Sequence, residues 1–251
     1  MSEPAESPFI TVQQNGPYIV HGPLPLEYAI VAAVDDEAPT TWLAGEPVPT
    51  TAKYALCRCG HSSNKPFCDG THRKVGFDGT ETASRAPFEQ QAVVYDGPSM
   101  QLGDAGSLCA GAGFCDAFGG VRAVLAATGD SSGRERLAAI ATHCPSGRLV
   151  AYDKESLGAA VEAEFEPGIG VVEDPGAGCS GGYWVRGGVE VRSADGTPYA
   201  VRPRQLLCRC GTSSNKPFCD GSHAAQQFAD EQLAAAREVT GGRDLVEVPE
   251  V

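Results

Sequence analysis

No apolar run in the sequence approaches the ~18 residues that a membrane-spanning helix requires, so no transmembrane segment and no membrane partner are expected. The opening MSEPAESPFITVQQ lacks a basic start followed by an apolar stretch. It also lacks the Arg-rich, acid-poor character of an organelle leader, and a cytoplasmic protein is expected. Basic residues are scarce: 19 Lys and Arg against 32 Asp and Glu give a formal net charge of -13. That balance argues against a nucleic-acid partner, whose phosphates need a basic face. A nucleophile–base pair, a phosphate loop and a G-x-G-x-x-G after a strand are all missing, so neither an organic cofactor nor enzymatic activity is expected.

Cysteine is the residue in excess. Ten cysteines in a chain this long, with no export signal and with ligand-like spacing, read as metal ligands rather than as a disulfide scaffold. Eight ligand candidates fall in a repeated run: Cys57 to His72 is CRCGHSSNKPFCDGTH, and Cys208 to His223 is CRCGTSSNKPFCDGSH. Both follow C-x-C-x2-S-x3-P-x-C-D-G-[ST]-H. Three soft thiolates and one imidazole make a complete four-ligand set. Cys57 and Cys59 lie on an extended segment that can turn both to one side, while Cys68 and His72 are one helical turn apart. Asp69 suits the exposed N–H groups at the start of that turn. Gly60 and Gly70 permit close backbone approach, and Pro66 stiffens the loop. Spacing alone leaves zinc open.

The run matches, at every defined position, the CDGSH signature of mitoNEET-like (NEET) iron–sulfur proteins, which it closely resembles. That resemblance implies two 2Fe–2S clusters, one held by Cys57, Cys59, Cys68 and His72, the other by Cys208, Cys210, Cys219 and His223. A histidine in place of a thiolate makes such a centre less negative and easier to reduce than an all-cysteine one. It also couples the centre to pH, because protonation of the ligating nitrogen weakens its bond to iron.

The repeat extends beyond the loops. Tyr183-Trp184-Val185-Arg186-Gly187 resembles Tyr18 to Gly22, and Gln205-Leu206-Leu207 precedes the second motif as Tyr54-Ala55-Leu56 precedes the first. The first copy carries an insertion between strand and motif, an acidic, Pro-rich excursion over 35–50. Each copy is a small module that needs its metal and its twin to stay folded. Cations cluster by both motifs: Arg58, Lys65, Arg73 and Lys74 at the first, Arg202, Arg204, Arg209 and Lys216 at the second. They would offset the negative centres and help dock an acidic partner. Residues 1–14 read as frayed, and 27–34 as an apolar strand. His21 and His61 lack a counterpart in the other copy and are not expected to be ligands.

Between the copies, Cys109-Ala-Gly-Ala-Gly-Phe-Cys115 and, further on, Cys144-Pro145 resemble the ligand set of single-cluster bacterial ferredoxins, with Ala112 at the middle position. The resemblance implies a third cluster on Cys109, Cys115 and Cys144, of 3Fe–4S or 4Fe–4S type; the plainer reading is three reduced cysteines packed as small hydrophobes. Cys179 falls outside the pattern. Arg134 to His143 reads as a helix with Leu137, Ile140 and Ala141 on one face and Ser131 or Ser132 as cap, His143 interacting with its dipole. Arg148 to Tyr152 reads as a strand, and Ser156 to Phe165 and Asp230 to Val239 as further helices.

The expected architecture is α+β: two small β-rich CDGSH modules (1–100 and 169–251, the latter with a C-terminal helix) in pseudo-twofold arrangement, with a ferredoxin-like α/β insert (101–168). A pseudo-dimeric monomer results. The leading function is one-electron transfer to or from a redox partner protein. Redox sensing, cluster donation to an apo-iron–sulfur acceptor and a zinc-stabilised interaction module are the alternatives.

Overall fold

Alternation of buried and exposed residues begins almost at once. In the computed structural model, which describes residues 7–33, 38–156 and 158–241, β1 (Phe9–Val12) and β2 (Tyr18–His21) form a hairpin pairing Val12 with Tyr18. The stretch expected to be frayed thus contains a strand: FITV turns Ile10 and Val12 into the core, a period-two signal that outweighs its polar neighbours. Residues 1–6 lie outside the described residues. β3 (Leu26–Ala32) occupies the expected apolar strand, whose Val34 is not described. The insertion supplies β4 (Thr41–Pro47), antiparallel to β3, so the excursion is not irregular throughout; its residues 35–37 lie outside the description. β5 (Lys53–Leu56) leads into the first motif, and α1 (Thr71–Lys74) is the single turn that carries His72.

The central segment has its own sheet and core. After α2 (Phe88–Gln91) come β6 (Val93–Asp96) and β7 (Met100–Asp104), then α3 (Val121–Ala126) and α4 (Ser131–His143). β8 (Leu149–Asp153) and β9 (Ala159–Val161) complete an antiparallel sheet in the order β6-β7-β8-β9. Leu137, Ile140 and Ala141 of α4 pack on Met100, Leu102 and Leu149 of that sheet. The helix starts earlier than expected because Asp130 is its cap, accepting from Gly133 N at 2.8 Å. Ser156 to Phe165 is not a helix. Val161, Ala163 and Phe165 alternate with Glu162, Glu164 and Glu166, a strand period, and β9 pairs Val161 with Ala151.

The second copy repeats the first. β10 (Gly168–Asp174) and β11 (Cys179–Arg186) form the hairpin, β12 (Glu190–Arg192) follows, and β13 (Arg204–Leu207) leads into the second motif. α5 (Ser222–Ala225) carries His223, and α6 (Gln232–Gly241) is the expected C-terminal helix. Residues 242–251 lie outside the description.

The two copies exchange a strand. β12 joins the first sheet beside β1, giving β12-β1-β2-β5, and β3 joins the second beside β10, giving β13-β11-β10-β3-β4. Both exchanged contacts are parallel, the rest antiparallel. One apolar core therefore draws Ile10, Val12, Tyr18, Val20 and Leu56 from one copy and Ile169, Val171, Tyr183, Val185 and Leu207 from the other. Neither copy could bury these residues alone, and the arrangement is pseudo-twofold.

Candidate metal centres

Each motif begins where a strand leaves the shared core. Cys57 N donates to Pro66 O at 2.8 Å and Cys68 N to Ala55 O at 2.9 Å, which folds the loop back on β5; Cys208 N to Pro217 O and Cys219 N to Leu206 O, both at 2.8 Å, repeat this on β13. The SSNKP portion of both motifs is explained by local hydrogen bonds. Ser62 Oγ donates to Phe67 O at 2.7 Å and accepts from Asn64 N, while Lys65 Nζ donates to Ser62 O. Ser213, Asn215 and Lys216 do the same in the second loop. Asp69 accepts from Ser63 N, Ser63 Oγ and Thr71 N; Asp220 accepts from Ser214 and Ser222. These bonds hold both carboxyls below the ordinary carboxylate range, although burial opposes this at Asp220.

The loops are also held by the opposite copy. The Tyr18 hydroxyl lies 2.9 Å from both Cys208 O and Pro217 O, and the Tyr183 hydroxyl lies 2.9 Å from Cys57 O and 3.0 Å from Pro66 O. The two rings meet edge to face at 6.1 Å. Gly60 and Gly211 have positive φ and abut across the pseudo-twofold: a Cβ on Gly60 would fall 2.4 Å from Cys210 O, and one on Gly211 2.6 Å from Cys59 O. Gly70 has nothing within 4 Å of its would-be Cβ, so its glycine serves the left-handed turn into α1 rather than close approach.

The four candidate ligands of each motif come as two pairs. Cys57 and Cys59 Sγ are 3.8 Å apart, and Cys68 Sγ is 3.4 Å from His72 Nδ1. In the second motif Cys208 and Cys210 are also 3.8 Å apart, and Cys219 Sγ is 3.3 Å from His223 Nδ1. Metal–sulfur bonds of ~2.3 Å in a tetrahedron place two thiolates ~3.8 Å apart, so each pair has the spacing of two donors on one ion. No group of three or more His, Cys, Asp or Glu among the described residues could hold a single ion. All ten cysteines are free thiols. Each Cys-x-Cys pair shares a proton: the hydrogen bond with Cys59 holds Cys57 below its ordinary value, and that with Cys208 does the same for Cys210. Burial pushes Cys219 up to about 12 and His223 below its ordinary value. A bound cation would reverse the former, and a ligating imidazole must be neutral.

Not all the expected cations face the centres. Arg58 and Arg209 are buried beneath the loops. Arg58 donates to Gln13 O at 3.2 Å and Gly79 O at 2.7 Å; Arg209 donates to Val172 O at 3.2 Å and to Glu173 at 2.9 and 3.0 Å, and also to Asp230. Arg202 and Arg204 hold the central segment instead. Arg202 donates to Ser146 O, and Arg204, 1% exposed, donates to Ala141 O, Cys144 O and Leu149 O and pairs with Glu162.

The central cysteines share one cavity of about 170 Å³, lined by Cys109, Cys115, Cys144, Gly111, Gly113 and Arg148 among others. Arg148 donates from Nη1 to Cys109 Sγ at 3.0 Å, its guanidinium fixed by Asp104 at 2.6 and 2.9 Å. Burial, then Asp116, pushes Cys115 up to about 11. Cys179 lies buried at the start of β11, outside that cavity. His143 is the last residue of α4, as expected; its ring stacks on Phe114 at 5.6 Å, and burial pushes its pKa down. His61 is exposed, and His21 stacks on Phe9 at 4.4 Å.

The strand exchange and the paired thiolate–imidazole loops define a two-site metal-binding protein. Residues 15–73 and 180–224 both match the family described as iron-binding zinc finger CDGSH type. The chain thus carries two CDGSH-type iron-binding domains, which supports an iron–sulfur protein. The matches leave out the central segment. No curated protein matches the chain. No helix among the described residues is long and apolar enough to cross a membrane.

Proposed function

We propose that the protein is a one-electron carrier with a binuclear 2Fe–2S cluster in each CDGSH domain. The observation that carries this reading is the pairing of the ligands. Two donors with the spacing of one tetrahedron edge, twice per motif, suit two irons rather than one ion gathering all four donors, so the zinc-staple alternative has less support. A bound 2Fe–2S cluster would supply one-electron redox chemistry. The chain's own part is to present Cys57, Cys59, Cys68 and His72, and Cys208, Cys210, Cys219 and His223, on loops fixed by Asp69 and Asp220, and to keep all but Cys68 and His72 out of bulk water.

A third site is supported by the convergence of Cys109, Cys115 and Cys144, distant in sequence, on one cavity next to a guanidinium. Three thiolates lining one space without converging on a single ion suit a polynuclear cluster, of 3Fe–4S or 4Fe–4S type. Exposure at the first centre also favours cluster donation as a secondary role. Iron and sulfide counting with visible and EPR spectra tests all of this. About four irons per chain supports the two 2Fe–2S clusters alone, and about seven or eight adds the central one. Colourless, zinc-loaded protein would overturn the proposal.

A further inference from the structure

The two loops match in backbone and hydrogen bonding, but only one has an open ligand edge. At the second, the central segment closes over the Cys219–His223 side. Asn215 Nδ2 donates to Ser107 O at 3.1 Å, Ala110 and Phe114 pack with Cys219, and Cys219 and His223 are left 2% and 6% exposed. A Cβ on Gly221 would lie 3.4 Å from Ala110, whereas one on the matching Gly70 would meet nothing within 4 Å. Cys68 and His72 remain partly exposed.

The helical turns that carry the two histidines differ in charge as well. α1 reads Thr71-His72-Arg73-Lys74 and α5 reads Ser222-His223-Ala224-Ala225. Arg73 and Lys74 are exposed, beside Val75 at 47%. The nearby carboxylates are committed elsewhere. Asp69 is held by Ser63 and Thr71 and has its counterpart in Asp220; Asp78 accepts from Thr80 and feels Lys216 and Arg58. On a chain of net charge -13, this is a cationic rim at the more open of the two CDGSH ligand edges.

Resting on the electron-carrier reading above, we propose that the Cys68–His72 edge of the first centre, rimmed by Arg73 and Lys74, is the docking surface for an acidic redox protein. The second centre, covered by the central segment, exchanges electrons only within the chain. Opposite charges across such a rim steer encounter and set the association rate, and salt screens them.

The test uses holoprotein and a plant-type ferredoxin, an acidic one-electron donor, in stopped-flow reduction at low ionic strength. The Arg73→Glu/Lys74→Glu pair should slow reduction on the order of tenfold or more. The mirror pair Ala224→Glu/Ala225→Glu should change it less than about twofold. Added salt should slow the wild type and erase the difference. Equal slowing by both pairs, or a wild-type rate indifferent to salt, would overturn the docking surface. So would an unchanged ferredoxin rate accompanied by lost binding to vesicles of anionic lipid, which would assign the rim to a membrane surface. Dithionite should bleach both variants as it does the wild type. Protein that dithionite does not bleach removes the electron-carrier reading itself, a failure distinct from that of the docking surface.

Discussion

The two metal loops share nearly every residue, yet their surroundings are unlike. The first opens to solvent past Cys68 and His72; the second lies beneath Ala110 and Phe114. Below the first, Arg58 meets two backbone carbonyls, whereas below the second the matching Arg209 meets the carboxylates of Glu173 and Asp230. The hairpin register explains the difference. Val12 pairs with Tyr18 as Val171 pairs with Tyr183, so Gln14 stands where Glu173 does, and Gly79 stands where Asp230 does after the motif. Duplication preserved the ligand loops while burial and charge around them diverged. Two copies of one motif can in this way become two different centres.

The largest expected break in the likeness is at the buried arginines. Arg209→Met strands two carboxylates among groups that water does not reach, at a cost of about 3–5 kcal/mol. Arg58→Met leaves only two carbonyls without a donor, at about 1–3 kcal/mol. Urea unfolding of the two holoproteins should separate them, and equal losses would show that the carboxylates add nothing to the difference.

Next in size is the behaviour of the histidines. Burial of an anionic redox centre disfavours the incoming electron, and exposure is among the determinants of potential. The carboxylates beyond Arg209 act in the same direction, while the Thr212 hydroxyl, 3.2 Å from Cys210 Sγ, opposes them. The second centre should therefore show the more negative of two reduction potentials in a dithionite titration. His223→Cys should lower that value, and His72→Cys the more positive one. At mildly acidic pH the open centre should be lost first, and His72→Cys should slow its bleaching on the order of tenfold, with His223→Cys affecting the early phase little. Identical potentials, or early bleaching that follows His223, would erase the distinction between an open and a covered site.

Where the copies are truly alike, substitutions should be too. Tyr18→Phe and Tyr183→Phe each remove one hydroxyl from a pair of carbonyls in the opposite loop, and each should cost about 1–2 kcal/mol. Thermal unfolding that separates the two by more than that range would place the asymmetry in the shared core and not only at the rim.

The ligand loops were legible in the sequence because everything that shapes them is local. Ser62, Asn64, Lys65 and Asp69 act within a few residues of the cysteines, and the repeat marks them as a unit. Tyr18 and Tyr183 could be matched as a repeat, but their reach across the pseudo-twofold depends on exchanged strands that no local pattern records. For the same reason Arg202 and Arg204, near the second motif in sequence, were expected to serve its centre, while long-range packing turns them onto the Cys144 turn and α4. The strand at Phe9–Val12 and the one at Ala159–Val161 were present as period-two patterns, obscured by polar neighbours and by alanine and glutamate, which also favour helix. Closure of the central segment over one motif alone left no periodic trace. It follows from which sheet β4 extends, since β4 brings Trp42 to stack on Trp184 at 4.6 Å and to donate to His143 O at 3.1 Å.

The smallest expected effect concerns pH. Glu173 is fully buried, and burial raises its pKa, even though Arg209 and Ser180 both favour the ionised form. In the unfolded chain this carboxyl ionises near pH 4.3; in the native protein it holds its proton to higher pH. Across that interval the native state binds more protons than the unfolded one, so the contribution of Glu173 to stability is fully present below about pH 4 and declines as pH rises through the native value. Gln14, its neutral counterpart in the first copy, has no such slope. Replacing Glu173 with Gln should therefore cost less than losing Arg209, because it removes a buried carboxylate instead of stranding one. It should also leave a variant whose shortfall against the wild type narrows as pH rises from 5 towards 8. Urea unfolding monitored by far-UV circular dichroism at intervals across that range measures it. A shortfall that widens with pH would mean that the paired, ionised carboxylate is the favoured form, and that the second copy gains stability from charge where the first does without it.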